Sequence, residues 1–544
     1  MTRRIIKTTI LLLLSALMLT GCWLPPLPVY ISSPTQAPPE YEEPPENIDQ
    51  PPAVTTLAHG QFSLRYDPES TMNPITAYNR DNITLSTLLY ESLFILDENL
   101  VAHSLLCSNW STEDNMTFTF EIMPRVAMHD GSTLTADDVA YSISSAVKWG
   151  RHKGKLHSIK DVTSDGELTV TVEISSPNAR FIRLLDIPII KYGTVDDRLP
   201  PGTGPYIFTS PESLRLTRFP QHREFENLPL SVIYLQVFSD SNLTEMFDEG
   251  KLSLLSDDPS GAFTIRINLL HEPRYYNTTA LQYLGFNAES PVVRDPDVRR
   301  AIGCAVERQY IVENIMNVPR PGQTVAAQVA ISPMFDMYDT AWEYRAQDPL
   351  VEMAALLEQA GLADYNQDGY LEMRDLYGNY FEFSLDFIVN IENAHKLAAA
   401  ERIAESLGQV GFSVQVRRLP WTNFVKELED GKFDMYYGET QLGADFDLSP
   451  LLMPGENSIN YGKTANTAYK PLIDGFLAAS TPEEMSYAGG QLCLAITQNA
   501  PFVPIVYKRH VIYSPMGVIS GAEPSQSGVF HNFQNWTIDL EGPS

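Results

Sequence analysis

Cysteine is scarce in this sequence: there are four residues in 544, and no two stand at C-x-x-C spacing. That rules out a disulfide framework and a zinc knuckle as readings of the pattern. Cys107, Cys304 and Cys493 are then expected to be buried free thiols, with a single bridge as the alternative. Long apolar runs are equally few, and past the first twenty residues no stretch is long and apolar enough to cross a bilayer. Basic residues are outnumbered, 38 Lys and Arg against 68 Asp and Glu, for a formal net charge of −30. So acidic a surface argues against nucleic acid and anionic lipid faces as partners, and it keeps an exported chain soluble. G-x-S-x-G, H-E-x-x-H and a usefully spaced Cys/His pair are all missing, and with them the sequence signatures of common hydrolases. No internal repeat is visible.

The N-terminus has three zones: basic Arg3, Arg4 and Lys7, an apolar run from Ile10 through Leu19, and then Leu19-Thr20-Gly21-Cys22. The run is short for a span and ends in small residues suited to a cleavage pocket, so residues 1–21 read as a signal peptide. Loss of its three basic residues makes the chain three charges more acidic. Leu19-Thr20-Gly21-Cys22 resembles the bacterial lipobox, which implies a diacylglycerol on Cys22 and a membrane anchor outside the cytoplasm. Residues 22–58 follow as a tether, with ten prolines and no glycine between Trp23 and Thr56. Such composition favours polyproline II at ~3.1 Å per residue, a stiff spacer on the order of 100 Å.

The body from His59 is too long for one small core, and its elements mix strand and helix signals. Gly60–Tyr66, Thr117–Ile122 and Leu168–Ile174 alternate like strands, whereas Ile83–Leu93 has helical spacing. Thr135 reads as a helix cap with Asp138 at the third helical position. Asp295 opens a helix expected to run through Ile315. Glu352–Ala360 and Ala394–Leu407 read as helices ended by Gly361 and Gly408, with strands at Phe381–Val389 and Phe412–Val416. That rhythm of strand, helix and strand predicts α/β architecture with mixed sheets and helices on their faces.

Several segments, taken in order, resemble one family. They are Met72-Asn73-Pro74 with Leu89-Tyr90-Glu91-Ser92-Leu93; Trp110, then Thr117–Phe120 and His129-Asp130-Gly131 through Val139; and Gly202-Thr203-Gly204-Pro205-Tyr206 with Tyr283–Asn287 and Val298–Ala301. Leu419-Pro420-Trp421 and Gly431–Met435 complete the set. The pattern is similar to that of the peptide-type, or family 5, solute-binding proteins of ABC importers. This resemblance implies a two-lobed, periplasmic-binding-protein-like fold (type II, cluster C) with an extra subdomain in the first lobe. By that analogy residues 59–78, 192–272 and 500–544 form lobe 1, residues 79–191 the subdomain, and residues 273–499 lobe 2. His129-Asp130-Gly131 and the Gly202–Tyr206 stretch read as structural turns. Arg299, Arg300 and Arg308 read as structural residues of one helix.

The resemblance also implies the site. Asp445, in Gly443-Ala444-Asp445-Phe446-Asp447, matches the aspartate that pairs with a peptide's α-ammonium. Ala444 precedes it in the matching "A-D" stretch, and Trp421 matches a cleft tryptophan able to act as an aromatic wall. Leu442 stands where peptide binders often carry Trp, and Asp447-Leu448-Ser449-Pro450 replaces their Asp-Pro. Both departures bear on peptide specificity, and no cation for the ligand's carboxylate can be placed. The function implied is capture of a peptide or other small solute by a monomer and its delivery to an ABC permease complex, without enzymatic activity or a cofactor. The alternatives are a ligand-presenting sensor lipoprotein and a secreted hydrolase. Separately, Asp364, Asn366 and Asp368, with Gly369 at position six, imitate a Ca2+ loop. Its twelfth position, however, is Asp375 rather than Glu, and a strand follows, as in a plain Asx-turn hairpin.

Overall fold

The computed structural model describes Leu57 and residues 60–541, apart from the pairs 263–264, 319–320, 375–376, 456–457 and 465–466. Residues 1–21, read as a signal peptide, Cys22 and Asp375 lie outside the described residues, as does the expected tether except for Leu57, which is buried in the first core. None of the described helices is long and apolar enough to cross a membrane.

Two long strands organise the body. His271–Phe286 and Phe502–Pro515 run antiparallel, His271 opposite Pro515 at one end and Gly285 opposite Phe502 at the other. Around them forms a seven-stranded mixed sheet. Its order is Leu255–Asp257, Phe502–Pro515, His271–Phe286, Met435–Gln441, Ser384–Asn390 and Ser413–Leu419, and Thr324–Ala326 also pairs with the second of these. Ser384–Asn390 and Ser413–Leu419 are parallel and joined by helix Ala394–Gln409, a βαβ unit. Alternation along the strands separates two cores: Tyr283, Ile388 and Tyr436 pack on one face, and Leu284, Phe387 and Tyr437 on the other. At the far end Ile512 and Tyr276 join a different core, so the pair of strands passes from one lobe to the other. Where they pass, the register shifts between Asn277 and Leu281, and the Thr278 hydroxyl donates to the Lys508 carbonyl at 2.8 Å.

The first lobe and its subdomain share one continuous core, which draws on residues from Leu57 to Leu235 and from the C-terminal segment. Two four-stranded sheets flank it. One is built from Ser63–Arg65, Val232–Gln236, Arg215–Arg218 and Tyr206–Phe208, and the other from Cys107–Ser111, Thr117–Ile122, Thr169–Ile174 and Ile159–Ser164. In helix Ala136–Lys148 the Asp138 carboxylate accepts from the Thr135 amide and hydroxyl at 2.9 and 2.8 Å, the predicted reciprocal cap.

Three segments depart from their predicted form. The helix expected across Ile83–Leu93 spans only Arg80–Ser86, because the Leu88 and Leu89 carbonyls accept from the amides of Tyr206 and Gly204 at 3.0 and 2.9 Å. The helix expected to reach Ile315 breaks after Cys304 and resumes as Arg308–Ile311 and a wider turn over Val312–Met316. Gly408 does not end its helix, which continues to Gln409; Gly411, at φ 93°, makes the turn instead.

The motif glycines hold backbones together. His129 is tied to this turn: its amide donates to the Gly202 carbonyl at 2.9 Å, and its Nε2 lies 3.0 Å from the Gly204 carbonyl. A Cβ on Gly204 would meet the Leu89 carbonyl carbon at 2.3 Å, which explains glycine there. All three cysteines after Cys22 are free thiols, Cys107 and Cys493 being buried.

Candidate functional site: a cavity between the lobes

Between the lobes lies a cavity of about 540 Å3, within the size range of small-ligand sites. Residues from 87–105, 151–157, 183–188, 222–228 and 526–534 line one side, and residues from 440–459 the other.

Leu442, Ala444 and Asp445 all line it. They follow strand Met435–Gln441, and the chain turns there because Phe446 takes a left-handed conformation, φ 57°. That is a costly geometry for an aromatic residue, on the order of 1–3 kcal/mol, and it turns the chain sharply between Asp445 and Asp447. Gly443 is required beside it, since a Cβ there would lie 2.4 Å from Asp445 Oδ1.

The Asp445 side chain is only 2% exposed. Its Oδ2 accepts from Asn178 Nδ2 across the lobe boundary at 2.8 Å, and Oδ1 accepts from the Asp447 amide at 3.3 Å. Burial raises its pKa above the usual carboxylate range, and the charge of Asp447 adds to the effect. Asn178, the Asp447 amide and the Arg180 guanidinium oppose it only in part. Asp447 behaves in the opposite way. Burial would raise it, but the hydrogen bond and charge of His157, 3.1 Å away, together with Ser449, hold it below its ordinary value. His157 is raised in return, chiefly by that bond. One carboxylate of the pair is therefore neutralised by protein, and the other is not.

Most cations around the cavity are already paired. Arg223 and His222 hold Glu91, at 2.9 Å for Arg223 Nη1; Arg183 grips Asp336 with two bonds of 2.9 and 2.8 Å; and Lys155 pairs with Asp186. Arg151 differs. It lines the cavity, remains solvent-exposed, and has no ion-pair partner among the described residues. The charge of Asp186, itself held by Lys155, acts on its guanidinium without a direct bond. Sequence reading missed Arg151 because no motif surrounds it; its distinction is the lack of a partner.

Trp421 lies elsewhere. It begins helix Trp421–Asp430, is 56% exposed, stacks on Phe424 with ring centroids 6.0 Å apart, and is not among the cavity residues. In the candidate Ca2+ loop, oxygens of Asp364, Asp368 and Glu372 gather within 4.8 Å. Backbone amides already approach this set: Asp364 accepts from Asp368 and Gly369 at 3.1 and 2.9 Å, Asn366 from Asp368 at 2.8 Å, and Glu372 from Tyr365 at 2.7 Å. The bonding is that of an Asx-turn hairpin between Leu362–Ala363 and Glu372–Arg374.

Comparison with known proteins places this architecture. The oligopeptide-binding protein AppA of Bacillus subtilis is 22% identical over 500 residues, covering 85% of this chain and 88% of AppA. The glutathione-binding protein GsiB of Salmonella typhi is 21% identical over 482 residues, covering 81% and 88%. Among solved structures, NikZ of Campylobacter jejuni in complex with Ni(L-His) superposes with a TM-score of 0.66 at 18% identity, covering 88% of this chain and all of NikZ. The fold is thus the two-lobed α/β fold of periplasmic binding proteins. The family model for bacterial extracellular solute-binding proteins, family 5 middle region, matches residues 101–459, and the chain belongs to that family.

Proposed function

We propose that the protein captures a small peptide bearing a free α-ammonium outside the cytoplasm and delivers it to an ABC importer, without acting as an enzyme. The observation carrying this reading is Asp445: a carboxylate buried at the wall of a cavity between two lobes, left without a cationic partner in contact. A ligand ammonium supplies both charge and donors, and a charge-assisted bond of this kind contributes about 1.5–3 kcal/mol. Leu442 and Ala444 beside it give apolar contact. Arg151 is the cation for the ligand's carboxylate, so the preferred cargo is zwitterionic. AppA and GsiB, named for oligopeptide and glutathione, support a peptide over other solutes.

The two strands passing between the lobes serve as the hinge, with residues 79–191 as the added subdomain of lobe 1. Closure must be favoured by contacts that exist only when the lobes meet, or binding would signal nothing to the permease. Cys22 carries the lipid, and residues 22–58 let the monomeric body reach for solute while staying at the membrane.

Mass spectrometry of peptide released from the purified protein identifies the cargo, and calorimetry with that peptide tests the site. Asp445→Ala is expected to weaken binding by ~10-fold or more, about 1.4 kcal/mol, with the fold retained. Unchanged affinity defeats the assignment. Cys22→Ser is expected to move the protein from the membrane fraction to the medium or periplasm.

A further inference from the structure

A second cavity, of about 280 Å3, lies in the other lobe, where helices Pro296–Cys304 and Pro482–Asn499 meet the start of strand Phe502–Pro515. It shares no lining residue with the interlobe cavity. Arg300, Arg308 and Arg345 line it, with Arg299 next to Arg300, and their bonding differs: Arg345 pairs with Glu343, Nε at 2.8 Å. Arg299 directs its guanidinium to four backbone carbonyls at 2.6–2.9 Å. Arg300 binds Asp297 at 3.0 Å and Glu352 at 3.4 Å. Arg308 instead uses only Nε, which donates to the Pro504 and Ala327 carbonyls at 2.8 and 3.1 Å. Its two terminal nitrogens have no hydrogen-bond or ion-pair partner among the described residues.

In a chain with 68 acidic residues against 38 basic ones, a half-buried arginine at a cavity wall with both terminal nitrogens unbonded is out of pattern. Those nitrogens are open to the cavity, so an anion entering it meets free donors. Burial lowers the pKa of Arg308 to about 10, so it stays charged at neutral pH. Glu352, which also lines the cavity, is engaged by Arg300 and by the Tyr344 hydroxyl at 2.9 Å. Val329, Ile496, Phe502 and Val503 give an apolar stretch of wall, beside the polar Gln328, Thr497 and Arg345. Cys304 and Cys493 add neutral thiols, their pKa values pushed up by burial to about 11 and 12.

We propose that this cavity is a second binding site for a short aliphatic carboxylate, with the terminal nitrogens of Arg308 gripping the carboxylate and the apolar wall taking the chain. The planar guanidinium fork matches a carboxylate's two oxygens. The site is independent of the peptide reading, since neither Asp445 nor Arg151 contributes to it.

Calorimetric titration of the full chain with octanoate, hexanoate and octylamine tests it. Octanoate is expected to bind one to one, and hexanoate more weakly by up to about 15-fold, following about fourfold per buried methylene. Octylamine, with the same tail and opposite charge, should not bind. Arg308→Met should weaken octanoate at least 10-fold. Thr497→Trp, which fills the cavity from the helix without replacing the arginine, should do the same and decides the matter if Arg308→Met proves misfolded by circular dichroism. Absence of octanoate binding, equal binding of octylamine, or full affinity in folded Thr497→Trp overturns the proposal.

Discussion

Replacing Lys508 by Met should destabilise the protein by about 3 kcal/mol, more than a surface lysine could. Lys508 sits where strand Phe502–Pro515 passes between the lobes, its side chain 2% exposed. It bonds Asp258 at 2.5 Å and Glu439 at 3.1 Å. Glu439 also holds Lys396 at 3.0 Å and accepts from Gln282 at 2.9 Å. Removing one member of a buried ion pair typically costs ~3–5 kcal/mol, because the partner stays buried and uncompensated. Lys396 remains to serve Glu439, which places the expectation at the low end. The titration of Glu439 gives an independent measure. Burial would raise its pKa, yet Lys508 and then Lys396 outweigh burial and hold it at about 2. From an ordinary value near 4.5 that is on the order of 3 kcal/mol net, after burial has opposed both lysines and Gln282. For a carboxylate depressed in the folded state, this stability is fully present above the unfolded pKa and is lost as pH falls through about 2. Urea unfolding at neutral pH should therefore show a lower midpoint in Lys508→Met, and acid unfolding should begin at higher pH than in the parent. Adding Asp258→Asn, with Glu439 left to Lys396, should recover part of the loss. An unchanged urea midpoint, with acid unfolding also unmoved, would refute the view that this network is buried and energetically significant.

Gly204→Ala should cost at least about 2 kcal/mol in thermal or denaturant unfolding, since the new Cβ meets backbone of Leu88 and Leu89 at 2.6 Å or less, positions that cannot swing aside. His157→Gln should remove a pH dependence. The raised pKa of His157 means that its contribution with Asp447 is fully present below the unfolded value near 6.5 and fades as pH rises through the folded value. Nuclear magnetic resonance titration of the parent should place the His157 midpoint above 6.5, and the slope of stability against pH across that window should flatten in the variant.

Local pattern carried much of the architecture. Alternation at Thr117–Ile122 appears unchanged as a strand, and the Thr135 and Asp138 spacing became a helix cap because both effects act within a few residues. Failures came where distant backbone intervenes. Leu88 and Leu89 have helical spacing, but their carbonyls are claimed by Gly204 and Tyr206, more than a hundred residues on, and the helix stops at Ser86. Asp445, Leu442 and Ala444 lie together in one motif, and all three line the interlobe cavity. Trp421 was nominated by the same kind of match, yet its helix start presents it to solvent. No motif singles out Arg151, and pattern gives Arg308 only a structural reading. What marks both is that no carboxylate bonds them, a property of the folded surroundings and not of neighbouring residues.

The pair Asp445 and Asp447 shows how one turn sets selectivity. Two acidic residues two apart, both buried, would ordinarily repel and drive one to protonate. Here Phe446 separates them with a left-handed turn, and His157 bonds Asp447 while only its charge reaches Asp445. Asp445 has amide donors from Asn178 and Asp447 and the more distant charge of Arg180, whose own guanidinium bonds go to the carbonyls of Phe476 and Ala479. A neutral ligand would leave that carboxylate short of charge, and an anionic one would add repulsion. On the proposed reading an ammonium would relieve both the desolvation and the repulsion from Asp447, and Leu442 beside it, in place of an aromatic residue, would leave recognition of the remaining cargo to shape and to Arg151.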